Sequence, residues 1–203
     1  MEFEDVVRRR RMVRSFTPDP VPREVLDRIL ANARRAPSAG FTQGFSFLVL
    51  EGPDETARFW SVTMPDPARR ETFAYPRLLD APVIVVPLSS KQAYLDRYAE
   101  PDKGVFDRRE SFWPVPYWHI DAGFATMLLL LTAVDAGLGA LFFGIFPEHL
   151  DGFRDAFGVP HEQTPIGAVA LGYAAADDPP SPSLRRGRKP VEQVVHRGRW
   201  GTT

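Results

Sequence analysis

A chain of 203 residues with 44% hydrophobic and 25% charged residues and a formal net charge of -1 has the make-up of one folded domain, covering residues 1–203. It contains no cysteine, which excludes disulfides, thiolate metal sites and a cysteine nucleophile, and its four histidines (His119, His149, His161, His196) are too scattered for a metal-ligand pattern. Residues 8–14 and 185–199 hold 11 of the 25 basic residues and one acid, Glu192. That asymmetry favours a discrete anion site over a nucleic-acid surface, which spreads basic charge across a whole face.

Residues 2–11 read as a short helix with Phe3, Val6 and Val7 on one face and the arginines at its C-terminal end, where positive charge suits the helix dipole. A proline-rich connection over 17–22 follows. Pro22 opens a second helix with Val25, Leu26, Ile29, Leu30 and Ala33 as its buried stripe, and the helix stops ahead of Pro37. Strands over 45–50 and 83–88 flank a helix over 54–62; the second strand is apolar throughout, as befits a strand covered on both faces. Residues 99–116 form a long irregular excursion of the kind that serves as a lid or binding loop. A helix over 119–136, apolar nearly all round, belongs in a core or an interface, with Gly137 as its cap. Its apolar run over 122–134 is too short to span a bilayer. A strand over 140–146, a helix over 147–157 and a strand over 166–173 complete the elements. The tail from Ala174 is rich in Pro, Ser and Arg and builds no core alone, so it is loose or wraps another surface. The N-terminus carries no apolar signal segment. The expectation is a cytoplasmic protein with no membrane or nucleic-acid partner.

Arginine presents a planar fork of donors that matches phosphate, although a charge run by itself is usually a solvated helix end. Ala36-Pro37-Ser38-Ala39-Gly40-Phe41-Thr42-Gln43 lies between a helix and a strand. Its small residues let a flat ligand approach the backbone, and Ser38 and Gln43 offer hydrogen bonds; taken alone it also reads as an ordinary turn. Gly144, near a strand end, leaves room for a ring system or marks a bulge. Gly137-Leu138-Gly139 lacks the third glycine of a dinucleotide fingerprint, and there is no phosphate-binding P-loop or nucleophile elbow. His119 and Asp121 are two apart on a helix and do not face each other, so they form no dyad.

Taken in order, these segments resemble the nitroreductase family of FMN-dependent oxidoreductases over essentially the whole chain. Arg10-Arg11-Met12-Val13-Arg14-Ser15-Phe16 resembles the opening Arg-Arg-Ser-x-Arg-x-Phe motif of that family. Ala36 to Gln43 resembles its Ala-Pro-Ser-x-x-Asn-x-Gln motif. Asp121-Ala122-Gly123, Leu128-Leu129-Leu130 and Gly137-Leu138-Gly139 resemble its central helix and following strand, and Arg186-Gly187-Arg188-Lys189-Pro190-Val191-Glu192 with Arg199-Trp200 resembles its closing pattern. The resemblance implies an α+β fold with a central mixed or antiparallel sheet flanked by helices. It further implies an intertwined homodimer with a swapped C-terminal tail and two FMN sites at the interface.

By the same resemblance, Arg10, Arg11 and Arg14 bind FMN, the first at the phosphate and the last nearer the ring. Met12, where the family often has serine, serves through its backbone. Pro37, Ser38, Ala39 and Gly40 come from the partner subunit to line the ring, with Gln43 in the same motif. Gly144 and Ile145 approach from the other side, and Arg186 and Arg188 close on the phosphate. NAD(P)H is the implied electron donor and a small aromatic, quinone or nitro compound the acceptor, reduced in a two-step exchange. The flavin carries the chemistry, so no side chain is nominated as catalytic. Phe41, Tyr75, Phe106 and Trp113 are the candidate acceptor contacts, with Trp118 beside them; for the aromatic ones, core or lid packing competes. Phe41 departs from the family asparagine and Gly44-Phe45 from its Pro-Trp. The Gly-Phe-x-Gln arrangement and Ile145-Phe146 resemble the flavin-destroying benzimidazole synthase branch. An oxygen-dependent flavin enzyme and a flavin-binding protein without turnover therefore stay open as alternatives.

Overall fold

A computed structural model describes residues 1–104 and 107–202 of the chain. Its frame is one sheet made of β1 (Phe45–Glu51), β2 (Val83–Ser89), β3 (Gly139–Phe143), the two-residue β4 (Thr164–Pro165) and β5 (Ala168–Gly172). The strand order is β1-β2-β5-β3, with β4 pairing β2, and every ladder is antiparallel. Both faces are covered, which is why β2 and β5 are buried at every position.

The helices are α1 (Phe3–Arg9), α2 (Arg23–Ala33), α3 (Gly52–Thr63), α4 (Pro67–Glu71), α5 (Lys91–Tyr98), α6 (Tyr117–Asp135) and α7 (Leu150–Phe157). Side chains alternate across a strand, and β2 divides accordingly. Val83 and Val85 pack with Leu26, Ile29, Leu129 and Ala133 of α2 and α6. Ile84, Val86 and Leu88 pack with Phe59, Trp60 and Phe153 of α3 and α7. Fully burying each such side chain contributes about 1.5–3 kcal/mol, so these two layers hold the fold. The result is the expected α+β architecture.

Several boundaries differ from the sequence reading. The first helix ends at Arg9, with Arg10 as its C-cap. The strand expected over 140–146 stops at Phe143, and the one expected over 166–173 is confined to Ala168–Gly172, with Gly167 in the break that separates it from β4. There, at φ 150°, an added Cβ would lie 2.6 Å from the Phe142 ring and 2.7 Å from the Phe143 carbonyl, so the chain crosses β3 at a distance only glycine tolerates. Helices α4 and α5 were not expected. Helix α6 begins at Tyr117 and runs 19 residues, which by length and composition alone is enough to cross a bilayer; half of it is buried inside this chain. The excursion does fall between Tyr98 and Tyr117, and carries one helical turn at Glu110–Phe112. The tail contains two short turns, Pro182–Arg186 and Val191–Gln193, and leaves Leu184, Val191, Val194 and Trp200 exposed.

Candidate functional site

After α1 the chain passes beside β3. Val13 N–H donates to Ala140 O (3.0 Å), Met12 bridges Ala140 in parallel, and Phe16 is fully buried against the far end of β5. This anchoring leaves Arg10 and Arg14 half-buried. Arg14 Nη1 donates to Met12 O (3.0 Å), and its guanidinium stands 5.5 Å from the centre of the Tyr75 ring. Tyr75, Arg14, Ser15, Pro76 and Arg77 line a cleft of about 180 Å³.

Arg11 is already engaged: it pairs with Asp178, whose carboxylate is 1% exposed and also accepts N–H bonds from Arg14 (2.7 Å) and Ser15 (2.8 Å). Asp178 therefore pins the segment in place, and sequence spacing gave no signal of it across 164 residues. Among the described residues, Arg10 and Arg14 have no carboxylate partner, while Arg186 and Arg188 are exposed on the tail and their side chains make no ion pair. These four guanidinium groups thus make no ion pair among the described residues, whereas Arg8, Arg23, Arg77 and Arg97 are all paired.

The second group is the loop from Pro37 to Gln43. Gly40, Phe41 and Gln43 have φ of 62°, 55° and 52°, a left-handed conformation that costs about 1–2 kcal/mol at each non-glycine position. The loop is held by internal bonds, from Phe41 N–H to Ser38 O (2.9 Å) and from Gln43 N–H to Ser38 Oγ (2.9 Å). Two bonds come from outside it: Ala39 N–H donates to Asp121 Oδ2 (2.8 Å), and Arg97 Nε donates to Gly40 O (3.1 Å). A Cβ on Gly40 would approach the Tyr98 ring to 2.8 Å. The loop presents Phe41 to solvent at 75% exposure and leaves the Gln43 side chain exposed as well.

Beneath the loop, Tyr94 donates its hydroxyl to Asp121 Oδ2 (2.7 Å), and burial together with that carboxylate raises the phenol pKa. His119 Nδ1 pairs instead with the buried Ser89 Oγ (2.8 Å), so His119 and Asp121 indeed form no dyad. Burial, and then Lys91, lower the His119 pKa. Trp113, expected at the acceptor, is half-buried in an aromatic cluster, with ring centres 4.5 Å from Tyr98, 5.5 Å from Tyr117 and 5.8 Å from Tyr94. Trp118 is buried beside it, the two ring centres 6.2 Å apart. Phe106 lies outside the described residues. Gly144 follows β3 with open space above it, since an added Cβ would meet nothing within 4 Å, whereas Ile145 packs against the core.

These residues form two groups, not one. Met12 sits at the row Ala140–Leu171–Val83, and the loop enters β1 at Phe45, which pairs with Ser89. The two positions are six rows apart along β2, roughly 20 Å, and on opposite edge strands, roughly 14 Å. In one chain the arginines and the loop occupy opposite corners of the sheet. Tyr75 goes with the arginines; Phe41 and Trp113 go with the loop. Helix α6 meanwhile leaves Tyr117, Ile120, Phe124 and Met127 partly exposed, an apolar stripe at helical spacing. Among the described residues no cluster of acidic or histidine side chains could hold a metal ion.

The model of the Nitroreductase family matches residues 7–173. An NADH dehydrogenase of Thermus thermophilus is 32% identical over 210 residues, covering 92% of this chain and 91% of that protein. Nitroreductase CinD of Lactococcus lactis, solved with 4-nitrophenol, superposes with a TM-score of 0.72 at 16% identity over 89% of this chain and 93% of its own. A protein of Exiguobacterium sibiricum assigned to the nitroreductases and solved with FMN gives 0.70 at 21% identity over 96% of both chains. At such identities the structural likeness is one of fold.

Proposed function

The chain belongs to the nitroreductase family, and we propose that it is an FMN-dependent oxidoreductase that takes hydride from NAD(P)H and delivers it to a small quinone or nitroaromatic acceptor. The observation that carries this reading is the pair of separated half-sites, one cationic and one a strained, exposed loop. A second copy packed on the apolar face of α6 would bring the loop of one chain toward the arginines of the other, so the working unit is a homodimer with two sites. The other half of α6 lies in the chain's own core, which favours a cytoplasmic enzyme over a membrane-bound one.

The residues present suit FMN. A phosphate needs charged, forked donors, and Arg10 and Arg14 offer guanidinium groups that no carboxylate neutralises, with Arg186 and Arg188 on a tail able to close over them. A flat ring needs backbone without bulk in front of it, as at Gly144, where an added Cβ would meet nothing within 4 Å. FMN when bound supplies the two-electron chemistry. The chain's part is to bind and orient: the arginines fix the phosphate, the loop sets the ring against donor and acceptor in turn, and Phe41 offers an aromatic surface for a planar acceptor. No side-chain acid or base is required.

Purified protein should absorb in the flavin region and oxidise NAD(P)H when given a nitroaromatic. Colourless protein that fails to take up added FMN would refute the assignment. Recovery of intact FMN after many turnovers separates reductive exchange from an oxygen-dependent reaction that consumes the ring. Arg188→Ala should weaken FMN retention roughly tenfold, in line with loss of one charge-assisted contact; unchanged affinity would remove Arg188 from the phosphate site.

A further inference from the structure

Asp121 is a carboxylate with 2% exposure, and no guanidinium or ammonium group pairs with it among the described residues. A buried charge is tolerated only where hydrogen bonds replace water. Here both bonds converge on Oδ2, one from the Tyr94 hydroxyl (2.7 Å) and one from Ala39 N–H (2.8 Å). The tyrosine orients the carboxylate, and the carboxylate grips the loop. On the next peptide, Gly40 O is held by Arg97 Nε at 3.1 Å. A loop with left-handed backbone at Gly40, Phe41 and Gln43 keeps that shape only where its surroundings over-determine it, and these two external bonds supply the constraint. Asp121 also lies on α6 between Ile120 and Phe124 of the exposed apolar face. The loop is therefore indexed to the helix that forms the proposed dimer contact.

We infer that Asp121 is a positioning residue, which, oriented by Tyr94, fixes the Ala39–Phe41 turn and thereby the placement of the loop against the flavin ring across the interface. The inference rests on the loop lining the FMN ring, as proposed above. It makes the Tyr94–Asp121–Ala39 chain part of the site's geometry rather than of the core alone.

The test uses FMN-loaded dimer carrying Asp121→Ala, Asp121→Asn or Tyr94→Phe. Asp121→Ala should slow flavin reduction by NAD(P)H in stopped flow by about tenfold or more, as a displaced reactant does, and should change the visible circular dichroism of the bound flavin. FMN affinity should stay within about threefold, because the phosphate contacts lie on other residues. Tyr94→Phe should give a smaller change in the same direction. Asp121→Asn should restore most of the rate, since its amide oxygen accepts the same two bonds. Wild-type dichroism and rate in Asp121→Ala would overturn the inference. If that variant does not fold, an unaltered Tyr94→Phe overturns it equally. Hydrogen exchange at the Ala39 amide gives a readout free of flavin: protection in the wild type and its loss in Tyr94→Phe support the assignment, and equal exchange rejects it. Failure of the wild-type protein to bind FMN would refute the functional proposal, while the exchange measurement still decides the role of Asp121 in holding the loop.

Discussion

His119 shows how one side chain ties pH to stability. Its Nδ1 faces Ser89 Oγ at 2.8 Å in a half-buried position, and burial, then Lys91, hold its pKa below the ordinary 6.5. The unfolded chain thus binds this proton more readily than the folded one, so the associated stability is complete above pH 6.5 and is lost as pH falls from there through the folded pKa. Thermal melting between pH 7.5 and about 5 should show a downward slope that His119→Gln makes shallower; parallel curves would dismiss the effect. Gly167 is constrained by space instead. With an added Cβ placed 2.6 Å from the Phe142 ring and 2.7 Å from the Phe143 carbonyl, Gly167→Ala overpacks a core contact at a cost of about 1–3 kcal/mol. Calorimetry should register this as a fall in Tm of roughly 2–12 °C for a chain of this length.

At the scale of elements, α6 decides most. One side is buried through Ala122, Ala125, Leu129 and Ala133, and the other leaves Ile120, Phe124 and Met127 in solvent. A contiguous apolar face of this kind marks an interaction surface. Phe124→Glu should leave the fold intact, convert a dimer to a monomer in sedimentation, and cost most of the bound FMN; a dimer that persists would place the interface elsewhere. This helix and β2 were legible in the sequence because long apolar runs mark elements that pack in a core or an interface. Helix α5 was not, since Lys91-Gln92-Ala93-Tyr94-Leu95-Asp96-Arg97-Tyr98 buries only Tyr94 and carries almost no stripe. The break ahead of the last strand hid behind an ordinary-looking Gly167. In the site, the arginines and the Pro37-Ser38 segment were legible through their order along the chain. Tyr94, Arg97, Asp178 and the bond from Asp121 to the loop were not, because which distant backbone a buried carboxylate or guanidinium will hold is fixed by tertiary packing and leaves no local pattern. The pairing of Arg11 was hidden for the same reason, its partner lying 167 residues away.

For the whole molecule, the separation of the two half-sites has a consequence that does not depend on any one contact. The arginine segment lies beside Ala140 on one edge strand, and the loop enters Phe45 on the other. If each site combines the arginines of one copy with the loop of the other, twofold symmetry gives two equivalent sites per dimer. An Arg10→Ala/Arg14→Ala double variant then loses both sites, and so does Gly40→Val, whose Cβ would meet Tyr98 at 2.8 Å in a left-handed turn. A heterodimer of the two variants regains one site, because the intact loop of the first chain meets the intact arginines of the second; its other site carries both defects. Heterodimer isolated through two affinity tags should show about half the wild-type activity, and a randomly exchanged equal mixture about a quarter, since half of its dimers are mixed. A site contained within one chain gives no such recovery, because every copy keeps its own defect. NAD(P)H oxidation by the mixture, compared with each parent alone, therefore tells the shared site from the self-contained one.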